Sequence, residues 1–340
     1  MRTNPAVSVV VPVHNNEKTV RRSLESLLSQ SLKHLEIVVV LDGCCDESEK
    51  EVRQLAKGES RLRIVALEEN VGVMAARARG VSETTAPFVG FVDADDVAKS
   101  GMYELLLESA QSAEADIVVG SADRVSAERR FLGPKVAFRK NAVITRRIFE
   151  SYCSLRFGSG VLWNKLYRRS LIVKHGLALP GWRQDTSEDT IVNTGCFLDA
   201  QRVAVMKESV YEYIEREGSA TAYQDSAAAL CGLVRGYAAA LEIHSSRPPH
   251  VLAGISRLYF MQATLRTYRV DDPGQLVWHE ESLVEALRVI LRVYPAGLAV
   301  VAPDPEIWRS YSVRRSLANI NTEIRALADL IFDRLKEKFS

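Results

Sequence analysis

Phe88-Val89-Gly90-Phe91-Val92-Asp93-Ala94-Asp95-Asp96 is an apolar run that ends abruptly in aspartates. The run reads as a strand buried on both faces. Aspartates are poor strand formers, and packed together at a strand exit they repel one another. A fold keeps such charge most easily where a cation or ligand hydroxyls balance it. A hard divalent ion takes oxygen ligands and usually leaves room for substrate phosphates. The plainer reading is a polar loop whose side chains cap a helix expected near Met102.

Upstream, Val7-Ser8-Val9-Val10-Val11-Pro12-Val13-His14-Asn15-Asn16 is a β-branched run stopped by polar residues, a central strand ending in a loop. An amphipathic helix follows, with Val20, Leu24, Leu27 and Leu28 on one face. Leu35 to Leu41 is a second buried strand that ends in Asp42-Gly43. A polar helix, a third strand from Leu62 to Leu67, the turn Glu68-Glu69-Asn70-Val71-Gly72 and a helix through Ala75 to Gly80 lead to the Asp93 strand. Strand–helix alternation with short connections predicts a parallel α/β sheet. Ligands of such sheets bind outside the carboxyl ends of the strands, where Asp42, Asn70 and the Asp93 cluster all fall.

The ordered set Val-Ser-Val-Val-Val-Pro-Val-His-Asn, Leu-Asp-Gly-Cys-Cys-Asp, Asn-Val-Gly-Val-Met-Ala-Ala-Arg and Asp-Ala-Asp-Asp resembles family 2 glycosyltransferases of the GT-A fold, in the branch that builds bacterial polysaccharides. Downstream, Trp163-Asn164-Lys165-Leu166-Tyr167-Arg168-Arg169, Ser187-Glu188-Asp189-Thr190 and Tyr211 to Thr221 are similar to further segments of that branch. Each motif is weak alone; together, in order, they are specific and cover about two thirds of the chain. The resemblance implies a Rossmann-like, mostly parallel sheet flanked by helices over 1–224. Its nucleotide-sugar half would be about 1–122 and its acceptor half about 123–224, with a helical C-terminal region over 225–340.

It also implies roles. Backbone groups of Val11, Pro12 and Val13, with Asn15 nearby, would hold the nucleotide base. Asp42 matches a carboxylate that accepts a hydrogen bond from a uracil imide, although the acidic residue usual one place earlier is Leu41 here. His14 stands where an aromatic residue is common and is read either as a stacking platform or as a solvated loop residue. Asn70 and Gly72 would shape the loop beside ribose and diphosphate, with Arg77 supporting the diphosphate and the acidic cluster. Asp93, with Ala94 beside it, would meet the ribose. Asp95, with Asp96 as runner-up, would bind Mg²⁺ or Mn²⁺. Asp189 matches the general base and Glu188 would hold sugar hydroxyls. The competing reading is that both carboxylates simply start a helix; Asp185 is then the next candidate base. Trp163, Asn164 and Lys165 would line the acceptor side, with Trp163 equally readable as core.

The expected activity is inverting transfer from a nucleotide-diphosphate sugar, UDP-linked above others, to a glycan, lipid-linked or small-molecule acceptor. Two alternatives stay open: a degenerate GT-A domain that binds sugar nucleotide or glycan without turnover, and a nucleotidyltransferase. The loop from Pro12 to Lys18 is neither glycine-rich nor basic, which speaks against the latter. No G-x-G-x-x-G follows the first strand, which speaks against a nicotinamide dehydrogenase.

Lys and Arg number 44 against 43 Asp and Glu, a net charge of +1, so nothing points to nucleic acid. No apolar run has membrane-spanning length and no signal peptide opens the sequence. With five scattered cysteines, a reducing cytoplasm is expected. The stretch 123–140 reads as basic and irregular. The last segment carries Leu317, Ile320, Ile324, Leu327, Ile331, Leu335 and Phe339 on one stripe with Arg and Lys opposite, a pattern for core packing, self-association or contact with the inner membrane surface.

Overall fold

The computed structural model describes residues 4–158, 160–216, 226–265 and 281–297. The stripe from Leu317 to Phe339 lies outside the described residues. The chain divides into two compact units: residues 1–151, 155–185 and 192–219, and residues 152–154, 186–191 and 220–340.

The first unit is built on one large sheet. Strands β1 (Val7–Val13), β2 (Leu35–Asp42), β3 (Leu62–Leu67) and β4 (Phe88–Phe91) are parallel and lie in the order β3-β2-β1-β4. Helices α1 (Val20–Leu28), α2 (Ser48–Ala56) and α3 (Val73–Glu83) connect them. The sheet is covered on both faces, which is why β1 and β2 are apolar without alternation. Val7, Val9, Val11 and Val13 share a cluster with Leu24 and Leu27 of α1 and Ile37 and Val39 of β2. On the opposite face Val38 and Val40 pack with Ala76 of α3. There Gly80 brings α3 against the sheet: a Cβ on it would stand 2.3 Å from Val10 Cγ1.

A proline in a central strand needs an explanation, since it cannot donate to the ladder. The β1–β4 ladder ends at Val10, paired with Phe91, and the Val10 carbonyl accepts from the Val92 N–H at 3.1 Å. Residues two apart point the same way along a strand. Pro12 therefore turns its nitrogen toward the side where the ladder has already stopped.

The sheet continues through β9 (Lys165–Arg168), antiparallel between β4 and β6 (Ile117–Val125), to β10 (Val203–Ile214), which runs parallel to β6. Short β5 (Val97–Ala98) and β8 (Ala142–Ile144) pair with β10. The stretch 123–140, expected to be irregular, extends β6 and returns as β7 (Phe131–Val136) in an antiparallel hairpin. Its side chains are mostly solvent-facing, so no apolar run marks it. Helices α4 (Met102–Ser112), α5 (Ile148–Cys153), α6 (Arg169–Gly176) and α7 (Glu188–Asp199) complete the chain up to β10. Mixed α/β architecture is thus the fold of this region, as the sequence predicts, with a sheet that is parallel through β3-β2-β1-β4 and mixed beyond β4.

In the second unit, α8 (Ser226–Ile243) packs against α9 (Pro249–Leu265) and α10 (Glu281–Val293). Leu233, Tyr237 and Leu241 of α8, Ile255 and Tyr259 of α9, and Leu287 and Ile290 of α10 are buried, at helical spacing. The Tyr237 and Tyr259 rings lie 5.3 Å apart, and the Tyr237 hydroxyl shares a 2.6 Å hydrogen bond with Ser256. Among the described residues no helix is long and apolar enough to cross a membrane.

Gly80→Val tests the close approach of α3. The added side chain has no room beside Val10, and overpacking of this kind costs about 1–3 kcal/mol. Urea unfolding of the variant is expected to show a lower midpoint by that amount with an unchanged slope.

Candidate active site

In the order β3-β2-β1-β4, successive strands run outward on one side of β1 and then switch to the other. The crevice of such sheets opens at that switch, beyond the strand ends. Here that end of the sheet carries the residues after β1, β2, β3 and β4.

The loops after β1, β2 and β3 are tied to one another. Both carboxylate oxygens of Asp42 accept backbone N–H groups of the next loop, from Val71 at 2.8 Å and Gly72 at 3.1 Å. The Asp42 carbonyl lies 2.6 Å from His14 Nδ1, and a carbonyl only accepts, so Nδ1 carries the proton. Nε2 is then the acceptor for the Asn70 amide nitrogen at 2.6 Å. The Asn70 Oδ1 accepts from the Gly72 N–H and from Arg183 Nη2 at 3.0 and 2.7 Å, which fixes that amide's orientation. Asn15, at a left-handed φ of 53°, accepts the Cys45 N–H on its side chain at 3.0 Å. Gly72 has φ +89°, and a Cβ there would fall 2.2 Å from Asp185 Oδ1, so only glycine fits. His14 is exposed but not idle, as a solvated loop residue would be: it joins the ends of β1 and β2 to the Asn70 turn.

Asp93-Ala94-Asp95-Asp96 forms a tight turn closed by the Asp96 N–H donating to the Asp93 carbonyl at 3.1 Å. The turn is held from several sides. Ser23 of α1 donates to the Asp93 carbonyl at 3.0 Å and Arg22 to the Asp95 carbonyl at 3.2 Å. Tyr211 accepts the Asp93 N–H at 3.2 Å and donates its own proton to Asp96 Oδ2 at 3.1 Å. Asp96 Oδ1 takes the Ile214 N–H at 2.8 Å. Asp96 is 2% exposed. Burial first, and the Asp93 charge second, push its carboxyl up to about 8. Asp93 receives Arg77 Nη2 at 2.7 Å, and Asp95 is ion-paired with Arg216. Oxygens of Asp93, Asp95 and Asp96 all lie within 4.8 Å of one another. An all-carboxylate set of that spacing suits Mg²⁺ or Mn²⁺, and the Arg216 guanidinium already places positive charge on it.

Behind the turn, Trp163 stacks on Tyr211 with ring centroids 4.5 Å apart. Trp163, Asn164 and Lys165 are buried, so they support the sheet instead of lining an acceptor surface. Asn164 donates to the Gly120 carbonyl at 2.7 Å and Lys165 to Asn164 Oδ1 at 2.9 Å.

Glu188 and Asp189 open α7 and belong to the second unit. Carboxylates in a first helical turn face the positive end of its dipole. Ser187 before them adopts φ 61°, and its carbonyl accepts from Thr190 and Ile191. Thr190 is gripped further: its carbonyl takes the Tyr152 hydroxyl at 3.3 Å and its side chain the Gln262 amide at 3.1 Å. A Cβ on Gly232 of α8 would lie 1.9 Å from Thr186 Oγ1. Glu188 is buried, and its charge adds to the burial that raises the Tyr259 hydroxyl well above its ordinary value. Asp185, in the first unit, is half exposed and pairs with Arg183 at 2.5 Å.

The structure thus gathers Asp42 and Asn70 in one network and Arg77, Asp93, Asp95 and Asp96 in another, with Val11 and Val13 buried at the end of β1. Sequence reasoning missed Tyr211, Arg216, Arg22 and Arg183. The first two stand inside the Tyr211 to Thr221 stretch, where an aromatic in a strand and an arginine just past it were the available signals.

An acidic turn at the switch point of an α/β sheet is an arrangement of sugar-nucleotide enzymes with the GT-A fold. Residues 8–176 match the profile of "Glycosyl transferase family 2", and the chain belongs to that family. It is 32% identical over 222 residues to EpsJ of Bacillus subtilis (strain 168), described as an uncharacterized glycosyltransferase, and 30% identical over 217 residues to the glycosyltransferase YibD of Escherichia coli (strain K12). These matches take in 64% and 63% of this chain and span 63% and 62% of the relatives' own lengths, a little under two thirds. Residues 1–349 of S. aureus TarS in complex with UDP-GlcNAc share the fold, with a TM-score of 0.63 over 97% of this chain and 92% of that one at 19% identity.

Tyr211→Phe keeps the ring on Trp163 and removes only the hydroxyl between the Asp93 N–H and Asp96. A buried carboxylate deprived of one hydrogen bond is expected to destabilise the protein by about 1–3 kcal/mol, read as a shift in the urea midpoint.

Proposed function

We propose that this chain is a metal-dependent, inverting glycosyltransferase that takes its sugar from a nucleotide-diphosphate sugar, a UDP-sugar by preference. The acidic turn after β4 carries this reading: three carboxylates converge at the strand end where the sheet topology opens a crevice. Family membership and a fold shared with a UDP-GlcNAc-binding protein support it.

In this reading backbone groups of Val11, Pro12 and Val13, with Asn15, hold the base. Asp42 uses lone pairs left over from Val71 and Gly72 to accept the imide proton. Asn70 borders the ribose and diphosphate. Asp93 and Ala94 meet the ribose, with Arg77 holding Asp93 in place. Asp95, with Asp96, holds Mg²⁺ or Mn²⁺. A bound divalent ion would stabilise negative charge on the departing nucleoside diphosphate. The acceptor hydroxyl must lose its proton as its oxygen attacks the anomeric carbon, and Asp189 is the carboxylate assigned to receive it. Glu188 orients sugar hydroxyls. The acceptor is a glycan, a lipid-linked sugar or a small molecule.

Two variants test the assignment. Asp95→Ala should remove the dependence of UDP affinity on Mn²⁺, measured by calorimetry in metal and in chelator; an undiminished dependence would take Asp95 out of the metal site. Asp189→Asn keeps shape and hydrogen bonding but cannot take a proton. It should leave UDP affinity and melting temperature near those of the parent while lowering transfer by about two orders of magnitude or more. Transfer left intact, or a collapsed melting temperature, would make Asp189 a helix-start residue only.

A further inference from the structure

The acidic turn is as much a collection point for arginines as for aspartates. Arg77 of α3 holds Asp93, Arg216 holds the Asp95 carboxylate, and Arg22 of α1 reaches the Asp95 carbonyl. Three guanidinium groups from three parts of the chain thus meet the turn, two on carboxylates and one on a backbone carbonyl. Arg22 lies close enough to Arg216 to disfavour its charge: burial, and after it Arg22, lower the Arg216 pKa. Neither Arg22 Nε nor Arg216 Nε has a hydrogen-bond partner among the described residues, and both atoms are buried. Two like charges placed together with unused donors are costly unless an anion joins them. Among the described residues the Asp95 carboxylate is the one anion paired with Arg216, and it is also the group a metal would need.

A metal-bound nucleoside diphosphate carries both missing partners, a cation for the carboxylates and phosphate oxygens for the guanidiniums. Resting on the donor reading above, we propose that Arg216 is an exchange residue. In the donor-free protein it holds Asp95. When a metal-bound nucleoside diphosphate arrives, Arg216 yields Asp95 to the cation and takes phosphate oxygens instead. No other arginine of the three is placed for this. Arg77 is 7% exposed and bound to Asp93, and Arg22 engages a carbonyl, which leaves the Asp95 carboxylate untouched. Arg216 follows β10 directly, two residues beyond the Ile214 N–H that anchors Asp96, and its side chain is 27% exposed. Its root is fixed beside the turn while its head group borders solvent. A planar guanidinium suits both partners, since it pairs carboxylate and phosphate with the same fork.

The exchange makes cation and nucleotide mutually dependent. A cation arriving alone must displace Arg216 and leave it unpaired; one arriving with a diphosphate does not. By linkage the gain is the same for whichever binds second. Arg216 is therefore a positioning residue and a guard against futile metal loading.

The test is titration of Mn²⁺ alone, and of UDP in saturating Mn²⁺, into the full chain by calorimetry, for the parent, Arg216→Gln and Arg216→Lys. Arg216→Gln should bind Mn²⁺ without nucleotide about tenfold more tightly than the parent and bind UDP in Mn²⁺ about tenfold more weakly, the scale of one charge-assisted hydrogen bond for each. Arg216→Lys, which keeps the charge without the fork, should fall between the two in both titrations, and it carries the test if the glutamine variant does not fold. A merely structural arginine would lower Mn²⁺ and UDP affinity together. Unchanged or weaker Mn²⁺ binding in the variants overturns the exchange while leaving the donor reading intact. Equal UDP affinity of the parent with and without Mn²⁺ overturns the metal part of the donor reading, and the exchange with it.

Discussion

A carboxyl group with almost no access to water sits at the centre of the acidic turn. Asp96 is tolerable only because the Tyr211 hydroxyl and the Ile214 N–H answer its two oxygens. That requirement fixes the end of β10 against the exit of β4, more than a hundred residues away in sequence. Once β10 is there, Tyr211 also meets the Asp93 N–H, Trp163 has a ring to stack on, and Arg216 emerges beside Asp95. The geometry of the acidic turn is therefore a property of two strands held together by one buried carboxyl group, and not of the local sequence Asp93 to Asp96.

The extent to which the sequence reveals this follows from range. Strands β1, β2 and β4 are buried on both faces, so they show as apolar runs, and their polar exits mark the crevice. Asp93 and Asp95 were visible for that reason. The β6–β7 hairpin was not, because Phe131 and Leu132 face solvent and Gly133 and Pro134 interrupt any pattern. Nor were the partners of the acidic turn. Each is an ordinary residue on its own element, and nothing local in Arg22 or Arg216 says that it will meet an aspartate from another strand. The network of His14, Asp42 and Asn70 is half legible: the polar strand exits mark the residues, but their bonds to one another depend on how three separate strands end side by side.

The segment around Glu188 and Asp189 is a contrasting case. In the first unit, strand ends set the positions of the carboxylates. Here helices of the second unit do, through the Gln262 amide on Thr190 and the closeness of Gly232 to Thr186. Rigidity comes from side-chain and backbone fit in a helical packing whose sequence otherwise reads only as alanine- and leucine-rich helix. A larger residue at Gly232 would act on this segment without touching either carboxylate.

The histidine at the end of β1 has both ring nitrogens in use, one donating to the Asp42 carbonyl and one accepting from Asn70. Such a ring has no edge left to read a neighbour with; only its flat face remains. A planar ligand resting on it would be held by area and polarisability, indifferent to which groups decorate its rim. On the proposed donor reading, selection between one flat heterocycle and another would then fall to the main chain of β1 and to the lone pairs of Asp42, so that recognition at this loop would be written in backbone and not in the imidazole.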